Sequence, residues 1–162
     1  MANSMGNGTA ASLAGQTRPF LALVIGGLIV GVLDLAYAIL VYSPRQPVLI
    51  LQTIASGLLG SRSYTGGAQT AVLGVFLHFV IAFGAATAYY VASRKLAFLV
   101  QHAVFSGLIY GALVYLFMHL IVLPLSALPS GDMPFIYQAC EFVEHCFCVG
   151  LPIALLVRRY AD

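Results

Sequence analysis

Residues 69–92 read QTAVLGVFLHFVIAFGAATAYYVA and decide the fold class, because this long apolar stretch contains no charged side chain. The hydrocarbon core of a bilayer is about 30 Å thick, and roughly 20 apolar residues of helix cross it. No Asp, Glu, Lys or Arg interrupts residues 63–93 or residues 96–131. The stretch therefore predicts a membrane-spanning helix.

The composition of the whole chain of 162 residues agrees with this prediction. Hydrophobic residues make up 61% and charged residues 7% of the chain, where soluble domains average roughly 45–50% and about 25%. The net charge is +2, and no run of Lys or Arg forms the basic patch that nucleic-acid binding requires. We expect the lipid bilayer to be the main partner and do not expect nucleic acid to be one.

Apolar segments bounded by prolines, glycines or basic residues divide the chain into elements. The predicted spanning helices cover residues 20–42, 69–92, 98–123 and 135–157. Residues 47–60 are apolar but too few to span, so we predict a short re-entrant or interfacial helix there. Residues 1–18 are small and polar and predict a disordered tail. The sequence thus predicts an all-α membrane protein, with a four-transmembrane-helix bundle in one domain over residues 19–162.

The positive charges predict the orientation of the four spans. One side of the membrane would carry five basic residues: Arg18, Arg94, Lys95, Arg158 and Arg159. The opposite side would carry two, Arg45 and Arg62. Because basic residues accumulate on the cytoplasmic side, we expect a multi-pass protein with both termini in the cytoplasm.

Two predicted spans contain the spacing Gly-x-x-x-Gly. Gly27 and Gly31 form one pair, and Gly107 and Gly111 form the other. Small residues at this spacing let helix backbones approach closely inside a membrane. These two faces are the predicted surfaces for a homodimer.

Ionisable side chains lie on the small or polar face of each predicted span. Asp34 follows Gly27 by seven residues, and Glu141, Glu144 and His145 follow a helical i, i+3, i+4 pattern. Six such side chains gather in the half of the bundle nearest residues 43–47: Asp34, His78, His119, Glu141, Glu144 and His145. A charged group at the bilayer centre costs about 2.5–3.5 kcal/mol, so ionisable residues there indicate a functional site.

The expected pairs within this group follow from helical spacing. Glu141 and His145 are expected to pair along one helix, because side chains four residues apart are neighbours. Asp34 is expected to pair with His78 or His119 across helices. Each pair would reduce the cost of placing charge in the membrane.

Three functional hypotheses remain open beside a structural one. A transition-metal site would use imidazole and carboxylate ligands from five residues: His78, His119, Glu141, Glu144 and His145. A proton or ion pathway would use five residues: Asp34, His78, His119, Glu141 and His145. Haem would be held by His119 with His78 or His145. In the structural alternative the polar groups only fix helix packing, at about 0.6 kcal/mol for each hydrogen bond.

Other chemistry finds no support in the sequence. There is no HExxH motif and no glycine-rich phosphate loop, so no catalytic residue is predicted. The three cysteines, Cys140, Cys146 and Cys148, lie in one apolar segment and are expected to pack as free thiols.

The order of several motifs resembles one known family. In sequence these features are His78, Gln101, Gly107, Gly111, His119-x-x-x-x-Pro124-Leu125, Glu141-x-x-x-His145 and Arg158-Arg159. Over roughly residues 75–160 the chain resembles the YagU-like family of small bacterial inner-membrane proteins. The resemblance implies periplasm-side positions for His78, His119, Glu141 and His145, and it implies no reaction. The family's loose link to acid resistance favours proton handling.

Overall fold

The computed structural model describes residues 5–129, 131 and 133–160, with side chains described from Phe20 onward. Every element in these described residues is helical. The helices are α1 (Met5–Tyr42), α2 (Pro47–Leu59), a 3-10 helix (Gly60–Thr65), α3 (Gly67–Ser93), α4 (Ala97–Gln101), α5 (Ala103–Phe117), a π-helical segment (Met118–Val122), α6 (Leu123–Leu125), α7 (Phe135–Glu144), a second π-helical segment (His145–Gly150) and α8 (Leu151–Arg159). The predicted all-α fold is confirmed.

Four helical stretches are long and apolar enough to cross a membrane: Phe20–Tyr42, Gly67–Ser93, Ala103–Leu125 and Phe135–Arg159. We call them the first to fourth spans. The third and fourth are continuous helices that each contain one π-helical segment. Large apolar side chains point away from the bundle, with Phe76 63% and Leu120 70% exposed, as lipid-facing side chains do. The chain is a multi-pass membrane protein built as a four-helix bundle.

Two helix boundaries differ from the predicted ones. α1 begins at Met5 and so continues back through most of the segment predicted as a tail, while residues 1–4 lie outside the described residues. The third spanning helix begins at Ala103 instead of Phe98, because the backbone of His102 leaves the helical region at φ −113° and ψ 46°. The ring of His102 stacks on Phe98 with ring centroids 4.7 Å apart, so the short helix α4 packs beside the break.

The fourth span lies at the centre of the bundle. α1 packs on α3 and on the fourth span, and α5 packs on the other side of the fourth span. The core where they meet is small and apolar and consists of Val30, Ala86, Tyr89, Ala103, Val149, Ile153, Ala154 and Val157. Tyr110 packs against this core and joins α5 to α3, because its hydroxyl donates to the carbonyl of Ala85 at 2.7 Å.

The first Gly-x-x-x-Gly face lies against α3 of the same chain. A Cβ on Gly27 would run into the ring of Phe83, and a Cβ on Gly31 would run into the ring of Phe79. The two aromatic rings therefore fill the space that the two glycines leave on α1.

The second Gly-x-x-x-Gly face lies against the fourth span. Gly107 contacts the backbone of Gly150 and Leu151, and Gly111 contacts the backbone of His145. Gly150 faces Gly111 in turn, so two glycines meet without an intervening side chain. Both glycine faces predicted for a homodimer are thus covered by helices of the same chain.

The accessory helix α2 packs on the first half of α3. The carbonyl of Leu51 lies against Gly74, where a Cβ would collide with it. The side-chain amide of Gln52 donates to the carbonyl of Gly67 at 3.2 Å, and Ser56 is fully buried. Two polar side chains of this helix, Gln52 and Ser56, therefore face the bundle. The loop after the third span is held to it by Ala127, whose N–H donates to the carbonyl of Gly57 at 2.8 Å.

Candidate functional site: a buried carboxylate and histidine cluster

Asp34, Glu144 and His145 converge in the interior of the bundle. Asp34 comes from α1, Glu144 ends α7, and His145 begins the second π-helical segment. Each offers one ligand atom, and these atoms lie within 4.8 Å of one another. The side chains of Glu144 and His145 are 2% and 9% exposed, and that of Asp34 is 28% exposed. We call these three residues the inner cluster.

The carboxylate of Glu144 is buried without a hydrogen bond among the described residues. Neither of its oxygens has a hydrogen-bond partner among the described residues. Oε2 lies 2.9 Å from Nδ1 of His145, but this nitrogen forms its hydrogen bond with the carbonyl of Glu141 at 3.0 Å. An unsatisfied buried acceptor costs about 1–3 kcal/mol, and more when it is charged. The site therefore favours a positive partner at Glu144: a proton, a cation, or the protonated ring of His145, whose Nδ1 lies 2.9 Å away.

The hydrogen bond of His145 determines which ring nitrogen is available. A carbonyl oxygen only accepts, so Nδ1 of His145 carries the hydrogen that points to Glu141. In the neutral ring, Nε2 then presents a lone pair. A backbone hydrogen bond that fixes the tautomer and direction of an imidazole is the usual support of a metal-ligating histidine.

Two π-helical segments position the histidines of the third and fourth spans. Met118–Val122 contains His119, and His145–Gly150 begins with His145. Each segment ends two residues before a proline, Pro124 or Pro152. A proline lacks the N–H for the carbonyl four residues earlier, and its ring crowds that carbonyl, so the helix before it widens or bends. π-helical turns are rare and occur frequently at functional sites.

His78 lies beside the inner cluster. Its Nε2 donates to the carbonyl of Gly31 at 2.8 Å and lies 4.0 Å from Oδ2 of Asp34. The structure thus brings Asp34 and His78 together, as predicted. Because Nε2 donates to a carbonyl, this nitrogen is not free to bind a metal, and His78 instead holds the backbone of α1 three residues before Asp34.

A second group lies nearer the end of the bundle that carries α2. Nε2 of His119 is 3.7 Å from Oε2 of Glu141, and the hydroxyl of Tyr42 donates to the same oxygen at 3.4 Å. The side chains of His119 and Glu141 are 23% and 21% exposed. We call His119 and Glu141 the outer pair.

The predicted pairing of Glu141 with His145 is wrong. The Glu141 carboxylate turns to His119 and Tyr42 instead. The ring of His145 forms its hydrogen bond with the backbone carbonyl of Glu141, four residues earlier. The carboxylate of Glu141 is therefore available to His119 and Tyr42. The structure therefore divides the predicted ionisable group into the inner cluster, the outer pair and His78.

Aromatic rings separate and support the two groups. The ring of His119 stacks on Tyr115 at 4.1 Å, and that of His145 meets the edge of Tyr115 at 5.7 Å. Two of the three imidazoles considered as haem ligands, those of His119 and His145, are thus packed on one phenol ring. Tyr37, one turn after Asp34, has a buried hydroxyl without a hydrogen-bond partner in the described part of the chain. Tyr37 was not identified from the sequence, although it lies three residues after Asp34 and therefore on the same face of the helix.

One apolar groove is lined by no residue of either group. It has a volume of about 760 Å³, and α3 and α5 form its walls with apolar side chains such as Ile81, Leu113 and Phe117. These walls suit lipid tails and offer no ligand for a charged species.

No protein-family model, curated protein or solved structure matches this chain significantly. The fold and the site make it a multi-pass membrane protein that carries a buried carboxylate and histidine cluster inside a four-helix bundle.

Proposed function

We propose that this protein binds a divalent transition-metal ion inside the membrane bundle, with Asp34, Glu144 and His145 as ligands. The observation that carries the proposal is the Glu144 carboxylate, whose two buried oxygens lack hydrogen bonds among the described residues. Its neighbours within 4.8 Å are a second carboxylate and an imidazole, and a cation shared by these three groups would satisfy all of them.

The chemistry of the ligands favours a transition metal over other cations. Two carboxylates and a neutral imidazole balance the charge of a divalent ion. Zinc, iron and manganese accept mixed oxygen and nitrogen ligands, whereas calcium and magnesium prefer oxygen alone. Three protein ligands also leave a coordination position open, as in sites where an ion reacts or exchanges.

The distances of the inner cluster are compatible with one ion. Bonds from zinc to carboxylate or imidazole are roughly 2.0–2.2 Å, so two ligand atoms of one ion lie at most about 4.4 Å apart. One atom from each of Asp34, Glu144 and His145, which for His145 is one of its two ring nitrogens, lies within 4.8 Å of the other two, and side-chain rotations would bring Nε2 of His145 and the carboxylates to a common ion.

Proton handling is the second candidate, favoured by the alternation of carboxylates and imidazoles. Glu144 faces His145 at 2.9 Å, and Glu141 faces His119 at 3.7 Å. Chains of imidazoles and carboxylates inside a membrane are typical of proton relays. The resemblance to the YagU-like family, with its link to acid resistance, supports the same reading.

Metal content of the purified protein tests the first proposal. The full chain in detergent is stripped with a chelator, reloaded with zinc or manganese, and measured by elemental analysis. We expect stoichiometric, tightly held metal in the wild type and loss of the tightly held ion in Asp34→Asn with Glu144→Gln. His102→Gln is the matched control, because His102 is an exposed histidine outside the cluster. Failure of the wild type to retain metal rejects the proposal.

A flux assay tests proton handling separately. Proteoliposomes with a pH gradient are compared for the wild type, His119→Ala and Glu141→Ala. Proton handling predicts a wild-type flux above that of empty liposomes and its loss in both variants. Equal fluxes at the background level reject it.

We also propose that the chain is a bacterial inner-membrane protein of the YagU-like family, with both termini in the cytoplasm. The excess of basic residues at Arg94, Lys95, Arg158 and Arg159 supports this orientation. Reporter fusions test it: a cytoplasmic reporter is expected to be active after residue 160, and a periplasmic reporter in the loop at residues 126–134. The reverse pattern rejects the orientation.

A further inference from the structure

We infer that His119, Glu141 and Tyr42 form a second divalent-metal site, at the α2 end of the bundle, through which the ion of the inner cluster exchanges. The second site stands on its own geometry, and only the exchange role rests on the proposed function.

The backbone contact of His119 determines which of its ring nitrogens carries a hydrogen. Its Nδ1 lies 3.1 Å from the carbonyl of Tyr115, and because a carbonyl only accepts, this nitrogen carries the hydrogen. In the neutral ring Nε2 then presents a lone pair toward Oε2 of Glu141, 3.7 Å away. Two hydrogen-bond acceptors thus face each other, and a cation between them would bind both, beside the hydrogen bond that Oε2 accepts from Tyr42.

The distance between Nε2 of His119 and Oε2 of Glu141 suits an ion held between them better than a direct hydrogen bond. An N–H···O hydrogen bond spans about 2.7–3.2 Å between heavy atoms, so the 3.7 Å between Nε2 of His119 and Oε2 of Glu141 is too long for a shared proton. Two ligands of one zinc-like ion lie at most about 4.4 Å apart, so the same distance accommodates a metal without rearrangement. The hydroxyl of Tyr42 donates to Oε2 of Glu141 at 3.4 Å, so a third oxygen lies beside the pair and would bind an ion by turning its lone pair toward it.

Exposure assigns different roles to the two sites. The side chains of the outer pair are 23% and 21% exposed, whereas those of Glu144 and His145 are 2% and 9% exposed. The inner ligand Asp34 is 28% exposed, so an ion reaches both sites from the surface, but it must lose its water to contact Glu144 and His145.

The fourth span connects the two sites directly. Glu141 and Glu144 are three residues apart, which is roughly 4.5 Å along a helix. The carbonyl of Glu141 also accepts the hydrogen bond from His145. A movement of Glu141 toward or away from an ion at the outer pair is thus transmitted to an inner ligand, and an ion passing between the sites moves about one helical turn.

Zinc binding by equilibrium dialysis on the full chain in detergent tests the second site. The outer variant combines His119→Gln with Glu141→Gln, the inner variant combines Asp34→Asn with Glu144→Gln, and His102→Gln is the control. We expect two zinc ions per chain in the wild type and the control, and one in each double variant. We also expect chelator-induced release of the inner ion to slow at least tenfold in the outer variant.

The outcomes separate the two proposals. One zinc in the wild type that is kept in the outer variant and lost in the inner variant overturns the second site and leaves the inner metal site standing. One zinc that is lost in the outer variant and kept in the inner variant overturns the inner site and supports the outer one. Loss of the single zinc in both double variants means that one ion is shared by all the ligands, and this overturns a separate outer site. The absence of zinc in the wild type overturns it as well. An unchanged release rate overturns the exchange role.

Manganese spectroscopy keeps the second site testable if the outer variant does not fold. Wild-type protein loaded with two equivalents of manganese is expected to show a spin-coupled pair in its electron paramagnetic resonance spectrum, because the sites are about one helical turn apart. A spectrum of isolated ions only, at this loading, overturns the second site without any variant.

Discussion

Oε2 of Glu144 lies 2.9 Å from Nδ1 of His145, its immediate neighbour in the chain, and both side chains are buried. Consecutive residues of a regular α-helix point about 100° apart, so one helix face does not ordinarily bury both. The π-helical segment His145–Gly150 begins at this point, where the helix widens. Two adjacent ionisable residues thereby become part of the same interior site.

Removal of the buried carboxylate is expected to stabilise the metal-free protein. In Glu144→Met, an unpaired buried acceptor is replaced by an apolar side chain of similar size, and the free energy of unfolding should rise by about 1–3 kcal/mol in chelator. Thermal unfolding in detergent measures the change. Metal should stabilise the wild type and not this variant. If Glu144 only fixed packing, the variant would lose stability under both conditions.

The proline after the second π-helical segment is expected to control metal binding from a distance. Pro152→Ala restores the missing N–H and removes the ring that crowds the preceding turn, so the segment should return toward α-helical geometry. Glu144 and His145 should then diverge, and zinc affinity should fall at least tenfold while the helix itself is retained. Pro44→Ala, in the turn after α1, is the matched proline control and should leave affinity unchanged.

Gly111 is expected to be intolerant of any side chain. A Cβ there would collide with the backbone of His145 and Cys146, and overpacking of this kind costs about 1–3 kcal/mol. Gly111→Ala should therefore lower the thermal stability and disturb the inner cluster. Gly84→Ala is the control, because no described atom lies within 4 Å of the added carbon. Equal stability of the two variants would contradict the close packing of the third and fourth spans.

His78 is expected to act by positioning Asp34. His78→Leu removes the N–H that donates to Gly31, three residues before Asp34, so we expect zinc affinity to fall about tenfold, the lower end of the loss seen when a direct hydrogen-bond partner of a ligand is removed. His78→Gln keeps a donor of similar reach and should restore a large part of the affinity. Zinc titration of both variants makes the comparison. An equal loss in the two would indicate that His78 binds the ion itself.

The four spans and their ionisable residues were predictable because hydropathy is a property of local composition. The predicted spans 20–42, 69–92 and 135–157 match the spans found within two residues at each end. Asp34, His78 and Glu144 lie inside these spans wherever the helices pack, so their membrane location depended on the sequence alone. The break at His102 was missed because the residue type alone does not forbid a helical backbone there.

The partners of these residues were decided only by the tertiary structure. A helical wheel assumes a constant rotation of about 100° per residue, and the π-helical segments at His119 and His145 depart from it. Pro124 and Pro152 were visible in the sequence, but the direction in which each helix relaxes depends on the neighbour against which it packs. Glu141 therefore pairs with His119 across two helices instead of with His145 along its own, since a side chain's partner is set by the backbone register on both sides of the contact.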